Sequence, residues 1–152
     1  MSDNCILCRK AIQNKEGYIV YQDRDVTILL DIFPRTKGHL MVVPTVHYES
    51  VYDLPDTIAT KFYQAIHLSC LALRQYGAKG INVGSNIGSV AGQQLSHFNY
   101  HVIPRYEKDD AIEIEPAFKD TPWRQKSIKL TEAEMKQICV DLKKIYAEQK
   151  ND

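Results

Sequence analysis

A row of polar side chains that could carry out chemistry lies in the stretch GQQLSHFNYHVIPR, which begins at Gly92. The segment from His97 to Ile103 alternates like a β-strand, so that His97, Asn99 and His101 share one face, opposite aromatic and apolar side chains. Imidazole rings can donate, accept or attack, whereas in a core each of these polar groups would need a hydrogen-bond partner. The pattern therefore indicates a binding or catalytic site, with the preceding Gly-Gln-Gln backbone able to approach a ligand closely.

A second group of residues has the chemistry of a metal site. Cys5 and Cys8 form a C-x-x-C pair, which supplies half of the four Cys or His ligands that zinc takes in a closed site. His47, just past the third predicted strand, and His97 are the candidates that could complete it. Spacing alone leaves two alternatives open, a pair of ordinary thiols and a redox pair.

Length and composition indicate a single globular domain. The 152 residues are enough for one hydrophobic core, and a content of 44% hydrophobic and 25% charged residues is ordinary. The 19 basic side chains (Lys and Arg) equal the 19 acidic ones, which argues against a general nucleic-acid binder. The N terminus lacks an apolar run of signal length, and no stretch approaches the roughly 20 apolar residues of a membrane-spanning helix. We therefore expect a cytoplasmic location with no nucleic-acid or membrane partner.

The elements that must position these residues form an α+β pattern. Strands are predicted over residues 18–22, 26–30, 39–44, 80–85 and 97–103. An amphipathic helix is predicted over about residues 57–76, ending at Gly77, with His67 outside its apolar stripe. A C-terminal helix is predicted to begin at Thr131, which forms a capping box with Glu134. Grouped helices and short strand connections favour a mostly antiparallel sheet.

Four ordered pieces of the sequence resemble the histidine triad (HIT) nucleotide-binding family, over about residues 5–105. They are the CILC start, the block LLDIFPRTKGHLMVVPTVH from Leu29 to His47, the AGQ of residues 91–93, and HFNYHVIPRY from His97. Family members usually show His-φ-His-φ-His-φ-φ, where φ is apolar, after a Gly-Gln loop. The chain is similar to the zinc-binding nucleotide hydrolases of bacterial and archaeal type. This resemblance implies a five-stranded antiparallel sheet, which pairs into a ten-stranded sheet in a homodimer.

The resemblance also implies a reaction. In the family, the middle triad histidine attacks the α-phosphate of a purine nucleoside phosphoramidate or a dinucleoside polyphosphate, and water then hydrolyses the nucleotidyl-histidine intermediate. The matching position in this chain is Asn99. An amide nitrogen is neither basic nor nucleophilic, because its lone pair is delocalised into the carbonyl. The parent protein is therefore expected to be an enzyme, and the chain as written to be catalytically impaired.

Two origins of Asn99 are compatible with the sequence. An engineered substitution is favoured because only the attacking group is replaced, by a polar residue of similar size, while the remaining motif is intact. A site abandoned long ago would have changed at several positions. The alternative is a natural, non-catalytic protein that binds nucleotide as a sensor or scaffold.

The resemblance assigns roles to residues that are present. The predicted catalytic group is Asn99, His101, His97, His39 and Gln93. The predicted nucleotide-binding group is Leu7, Leu29, Asp31, Ile32, Asn86, Gly92, Gln93 and His101. In these groups His101, Asn86 and the Gly-Gln loop would hold phosphate, Asp31 would bind ribose, the apolar side chains would hold the base, and His39 would orient the triad. Structural Zn²⁺ would be bound by Cys5, Cys8, His47 and His97.

The domain division follows from the same resemblance. Residues 1–106 would form the HIT domain, and residues 107–152 a C-terminal extension whose helix packs on the same domain or on the dimer partner. Trp123 lies in that extension. It would either reach the partner's active site or anchor the irregular segment around it.

Overall fold

The computed structural model describes residues 4–13, 16–107 and 127–150. Its strands are β1 (Ile19–Gln22), β2 (Val26–Leu30), β3 (Leu40–Pro44), β4 (Gly80–Gly84) and β5 (Tyr100–Arg105). The helices are α1 (Asp56–Tyr76) and α2 (Glu132–Lys150), and a short π-helical segment spans Leu7–Gln13. The sequence predicted the first four strands to within one residue at each end. Trp123 lies outside the described residues, so its role stays a prediction.

The five strands form one antiparallel sheet in the order β1-β2-β3-β5-β4. This confirms the predicted five-stranded α+β architecture. In the pairing of β3 with β5, His101 lies opposite Met41 and Val102 lies opposite Leu40. His39 directly precedes β3, so the register brings two histidines that are 62 positions apart to the same end of this strand pair.

The strand predicted over residues 97–103 begins three residues later, at Tyr100, and its predicted start was wrong. The backbone N–H of Phe98 donates to the carbonyl of Tyr48 at 2.7 Å, which lies in the connection after β3 and not in the sheet. The predicted alternation nevertheless holds for the aromatic face. The rings of Phe98 and Tyr100 pack against Phe62 of α1, with centroids 5.1 and 5.8 Å away.

The two helices lie against one another and against the sheet. Helix α1 ends at Gly77, whose φ of +116° is the left-handed conformation that favours glycine. The predicted capping box of α2 is confirmed: the Thr131 N–H donates to Glu134 Oε2 at 2.7 Å, and the Glu134 N–H donates to Thr131 Oγ1 at 3.2 Å. Helix α2 contacts α1 and β1 of its own chain. In the described parts of the chain, no helix is long and apolar enough to cross a membrane.

Strands β2 and β3 are buried on both faces, which explains their continuous apolar sequences. Ile28 and Leu30 point into the main core beneath the helices, whereas Leu29 points into a second cluster on the opposite face. The members of this second cluster come from the N-terminal segment and the sheet: Cys5, Leu7, Cys8, Ala11, Ile12, Leu29, Met41 and Val43. The N-terminal segment therefore covers the sheet face that lies next to the predicted metal site.

Candidate functional site

The four predicted metal ligands lie together. Cys5 Sγ is 3.5 Å from His97 Nδ1, and Cys8 Sγ is 3.4 Å from the Nδ1 atoms of both His47 and His97. All four ligand atoms lie within 4.8 Å of one another. Tetrahedral zinc, with Zn–S bonds of about 2.3 Å and Zn–N bonds of about 2.05 Å, separates sulfur from nitrogen ligands by about 3.6 Å. The spacing of the donors therefore fits a Cys₂His₂ zinc centre.

The orientation of His97 also fits a metal ligand. Its Nε2 lies 2.8 Å from the carbonyl of Pro44, which can only accept, so Nε2 carries the proton. The lone pair of Nδ1 then faces the two thiols, the usual arrangement for a metal-binding histidine with a backbone partner. Burial lowers the pKa of His97 to about 4, so the ring is neutral near pH 7. His47 lies on the connection after β3, with its ring centroid 5.0 Å from that of His97.

A second cluster of possible ligands, His39, His101 and Asp31, has a different proton arrangement. The backbone N–H of Arg35 donates to His39 Nδ1 at 3.0 Å, so His39 carries its own proton on Nε2. That Nε2–H donates to His101 Nδ1 at 3.0 Å. His101 in turn must carry its proton on Nε2. A metal between the two rings would have to displace the shared proton, so this cluster is a hydrogen-bond relay.

Both rings of the relay are held neutral. Burial, together with the nearby Arg35 guanidinium, lowers the pKa of His101 to about 4. Burial also lowers the pKa of His39 well below its ordinary value, with contributions from His101, Arg35 and Arg105. His101 therefore presents a neutral N–H donor with a fixed tautomer. Such a donor suits a phosphate oxygen and does not by itself supply a positive charge.

Asp31 and Arg35 place opposite charges beside the relay. Asp31 Oδ2 lies 3.5 Å from His101 Nδ1 and 3.8 Å from His39 Nε2, while Asp31 Oδ1 accepts the Phe33 N–H at 2.8 Å. The Asp31 side chain is buried, and Arg35 is 9% exposed. Sequence reasoning missed Arg35, which it left in a connection between strands. The sequence shows only an arginine in a connection between strands, and its burial beside the histidines is visible only in the structure.

Asn99 lies between the two clusters and is held at two points. Its side-chain Nδ2 donates to the carbonyl of His97 at 2.8 Å, and its main-chain carbonyl accepts a hydrogen bond from Ser85 Oγ at 2.5 Å. The residue is 9% exposed. The side-chain amide is therefore tied to the His97 main chain, and it offers no nucleophile.

The Gly-Gln loop is folded around the side chain of Gln93. Gly92 has a φ of +86°, and its carbonyl accepts a hydrogen bond from Asn86 Nδ2 at 3.4 Å. Gln93 Oε1 accepts the Gly88 N–H at 2.8 Å, and Nε2 donates to the carbonyls of Glu49 and Leu95, both at 2.8 Å. Both donor hydrogens of the carboxamide are thus used within the chain.

The three apolar residues predicted to hold the base have unequal exposure. Leu7 and Leu29 are buried in the second core cluster, at 7% and 3% exposure, whereas Ile32 is 62% exposed. An exposed isoleucine that follows a buried aspartate in the β2–β3 connection is available to cover a flat ring. Leu7 and Leu29 would offer a ligand only the small exposed part of their side chains.

We expect His101 to make the free energy of unfolding depend on pH between about 6.5 and about 4. In this interval residue 101 is protonated in the unfolded chain and neutral in the folded chain, so unfolding takes up a proton and becomes easier as pH falls. The loss at pH 4 amounts to about 3 kcal/mol relative to pH above 6.5. His101→Gln keeps an acceptor for the His39 Nε2–H and removes the titration. Urea denaturation should show a smaller loss in this variant, and equal losses in the two proteins would contradict the assignment.

Comparison with known proteins identifies relatives of this arrangement. A family model described as the HIT domain matches residues 13–108. An uncharacterised HIT-like protein of Methanocaldococcus jannaschii is 39% identical over 108 residues, which are 71% of this chain and 84% of that protein. A hypothetical histidine triad nucleotide-binding protein from Sulfolobus tokodaii superposes with a TM-score of 0.77 at 26% identity, over 96% of this chain and 94% of its own.

Three further similar proteins carry a bound metal or an activity in their own descriptions. A Zn-bound histidine triad family protein from Mycobacterium smegmatis shares the fold, with a TM-score of 0.76 at 23% identity over 97% of this chain and 96% of its own. An AP-4-A phosphorylase of Mycobacterium tuberculosis is 31% identical over 100 residues, which are 64% of this chain and 51% of that protein. An adenylylsulfatase of Arabidopsis thaliana is 26% identical over 110 residues, 72% of this chain and 56% of that protein. The chain spans about half the length of these last two relatives.

Proposed function

Because the chain belongs to the histidine triad (HIT) family, we propose that its polar site binds the phosphate of a purine nucleotide. The observation that carries this proposal is the relay from the Arg35 N–H through His39 to His101, which fixes an N–H donor on His101 Nε2. The loop around Gly92, whose carbonyl accepts from Asn86 Nδ2, supplies further polar backbone groups. A donor with one fixed tautomer recognises an acceptor-only group such as phosphate.

The remaining nucleotide contacts stay assigned as the sequence predicted them. Asp31 binds the ribose hydroxyls, and Asn86 and the loop of Gly92 and Gln93 hold the phosphate together with His101. The base lies against Ile32, the exposed member of the apolar set, with Leu7 and Leu29 behind it. A purine is preferred because a larger flat ring buries more apolar area.

The parent activity is hydrolysis at the α-phosphate of a purine nucleoside phosphoramidate or a dinucleoside polyphosphate. Relatives named as an AP-4-A phosphorylase and an adenylylsulfatase support a nucleotide hydrolase. The chain as written binds the nucleotide and does not turn it over, because Asn99 cannot attack phosphorus. A second candidate is a protein that naturally binds without catalysis, as a sensor or scaffold. It is favoured by the hydrogen bond from Asn99 Nδ2 to the His97 carbonyl, which satisfies this side chain in its buried position.

Zinc at Cys5, Cys8, His47 and His97 is part of the proposal. It is supported by the donor spacing and by the Nε2 partner of His97, and it agrees with a structural neighbour described as Zn-bound. When bound, the ion supplies a structural crosslink between the N-terminal segment and the sheet. Cys5 and Cys8 are reduced thiols, which suits the cytoplasmic location that we propose.

Nucleotide binding is tested by calorimetric titration with AMP. We expect His101→Ala to weaken binding roughly 10- to 100-fold, the effect of losing a hydrogen bond to a charged phosphate. His67→Ala is the matched control, because His67 is exposed on α1 and lies outside both histidine clusters. Equal affinities of the His101→Ala and His67→Ala proteins, or no AMP binding by the chain, would refute the proposed function.

We further propose a homodimer in which β4 pairs with its counterpart. The strand order leaves β4 at one edge of the sheet, with Val83 42% exposed. An open edge strand with an exposed apolar side chain is a ready surface for pairing. Sedimentation equilibrium should give twice the chain mass, and Val83→Asp should reduce it towards the monomer. A monomeric parent chain at micromolar concentration would contradict this arrangement.

A further inference from the structure

The Gln93 side chain is a three-point clamp between two segments that are distant in sequence. Its Oε1 accepts the Gly88 N–H, and its Nε2 donates to the carbonyls of Leu95 and Glu49. The first two bonds close the loop on itself. The bond to Glu49 crosses 44 positions of sequence and attaches the loop to the connection that follows β3.

That connection carries one of the proposed zinc ligands. His47 lies two residues before Glu49, and Tyr48 between them accepts the Phe98 N–H at 2.7 Å. Phe98 directly follows His97, another ligand. The ligand that follows β3 and the ligand that precedes β5 are therefore joined to one another, and both are joined through Glu49 to the side chain that closes the phosphate loop.

We propose that Gln93 is a positioning residue that couples the Cys₂His₂ centre to the phosphate loop, so that metal binding and nucleotide binding strengthen each other. A metal ion fixes His47, which holds the Glu49 carbonyl where the Gln93 Nε2–H can reach it. The loop from Gly88 to Gln93 is then held in one conformation. A nucleotide that binds this conformation must, by thermodynamic linkage, tighten metal binding by the same factor.

This inference rests on the proposed function, because it takes the nucleotide phosphate to lie against the loop. It adds a role for the Gln93 side chain, whose two donor hydrogens are already engaged by Glu49 and Leu95. The zinc centre is accordingly more than a crosslink for the N-terminal segment. Its occupancy sets how well the loop is ordered.

The discriminating variants are Gln93→Glu and Gln94→Glu. A carboxylate at position 93 can still accept from the Gly88 N–H, but it cannot donate to the carbonyls of Glu49 and Leu95. Gln94 is the adjacent residue, is exposed, and undergoes the same chemical change outside the clamp. Gln93→Met, which is uncharged and of similar length, replaces Gln93→Glu if the added charge prevents folding.

The readout is the visible absorption of Co²⁺ bound in place of zinc, which reports the geometry of the metal ligands. Addition of AMP should shift the Co²⁺ absorption bands in the chain as written, with Asn99, and in its Gln94→Glu variant. The bands should stay unchanged in Gln93→Glu. Chelator competition should show that AMP tightens metal binding by about five-fold or more in the first two proteins only. An AMP-induced shift of the same size in Gln93→Glu would overturn the proposal.

Calorimetry on the same samples separates a failure of the coupling from a failure of the proposed nucleotide binding. AMP binding without any change in the Co²⁺ bands of the parent chain would refute the coupling and leave the proposed function intact. If AMP does not bind, the proposed function fails, and hydrogen exchange decides the coupling. Metal loading should then protect the amides of residues 88–93 in Gln94→Glu but not in Gln93→Glu, and equal protection in both would refute the coupling.

Discussion

Replacing Asn99 by histidine should convert this chain into a nucleotide hydrolase, with turnover of an adenosine phosphoramidate rising on the order of 10³-fold or more. The geometry around Asn99 is the reason. The amide Nδ2 and an imidazole Nδ1 are separated from the backbone by the same number of bonds, so a histidine there can donate its Nδ1–H to the His97 carbonyl. The proton is then fixed on Nδ1, and the Nε2 lone pair is free to attack.

The expected reaction has two steps. The Nε2 lone pair forms a bond to phosphorus while the P–N bond of the phosphoramidate breaks, and the departing amine takes up a proton from the solvent, which the attacking water of the second step returns. Water then attacks the same phosphorus and releases the nucleoside monophosphate and the imidazole. His101 donates its Nε2–H to a phosphate oxygen in both steps and remains neutral, as its lowered pKa requires.

Controls for this variant follow from the same contacts. Asn99→Gln keeps an amide and should stay inactive, and Asn99→His combined with His101→Ala should lose most of the gained turnover. Turnover should be measured with an adenosine phosphoramidate and with a dinucleoside polyphosphate, which also identifies the preferred leaving group. A folded Asn99→His protein that binds AMP but has no turnover would favour the second candidate function, in which the protein is naturally a sensor or scaffold.

Removal of the metal should have the second large effect, on stability. Cys8 is fully buried, and its sulfur lies 3.4 Å from two ligand nitrogens, so Cys8→Ser removes a central ligand. When zinc is present at about 1,000 times its dissociation constant, binding adds about 4 kcal/mol to the free energy of unfolding. Most of that should be lost in Cys8→Ser, because the second core cluster depends on the N-terminal segment that this ligand anchors.

Metal analysis and urea denaturation measure this effect together. The parent chain should contain about one zinc ion per chain, and Cys8→Ser should contain much less. Cys70→Ser is the control, because Cys70 is a half-buried thiol on α1 outside the metal cluster. Freshly purified, unchelated parent protein without metal, or a Cys8→Ser protein that keeps its zinc, would rule out the proposed centre.

Much of the sheet could be predicted from sequence because its signals are local. The apolar runs of β2 and β3 and the capping box at Thr131 need only neighbouring residues to be recognised. The start of β5 could not be predicted, because the partner of the Phe98 N–H is Tyr48, 50 positions earlier. Alternation of side chains continues through such a segment whether or not it pairs with a neighbouring strand.

In the site, too, residue types could be predicted from sequence, whereas contacts between distant residues could not. Residue types and the family resemblance indicated the four metal ligands, and the fold brings their donor atoms together. The tautomers of His39 and His101 depend on the Arg35 backbone N–H, and no sequence pattern records a single main-chain hydrogen bond. The partners of the Gln93 side chain could not be predicted either. The Gly-Gln motif indicates a loop, but it does not indicate which main-chain groups bind the Gln93 side chain.

The intact mass of the protein after brief reaction with an adenosine phosphoramidate tests directly whether residue 99 occupies the attacking position of a nucleotide site. The Asn99→His protein should gain the mass of one adenylyl group, located on residue 99 by peptide mapping, while the Asn99 chain stays unmodified. An adduct on another residue, or none on an Asn99→His protein shown to bind AMP, would contradict the account.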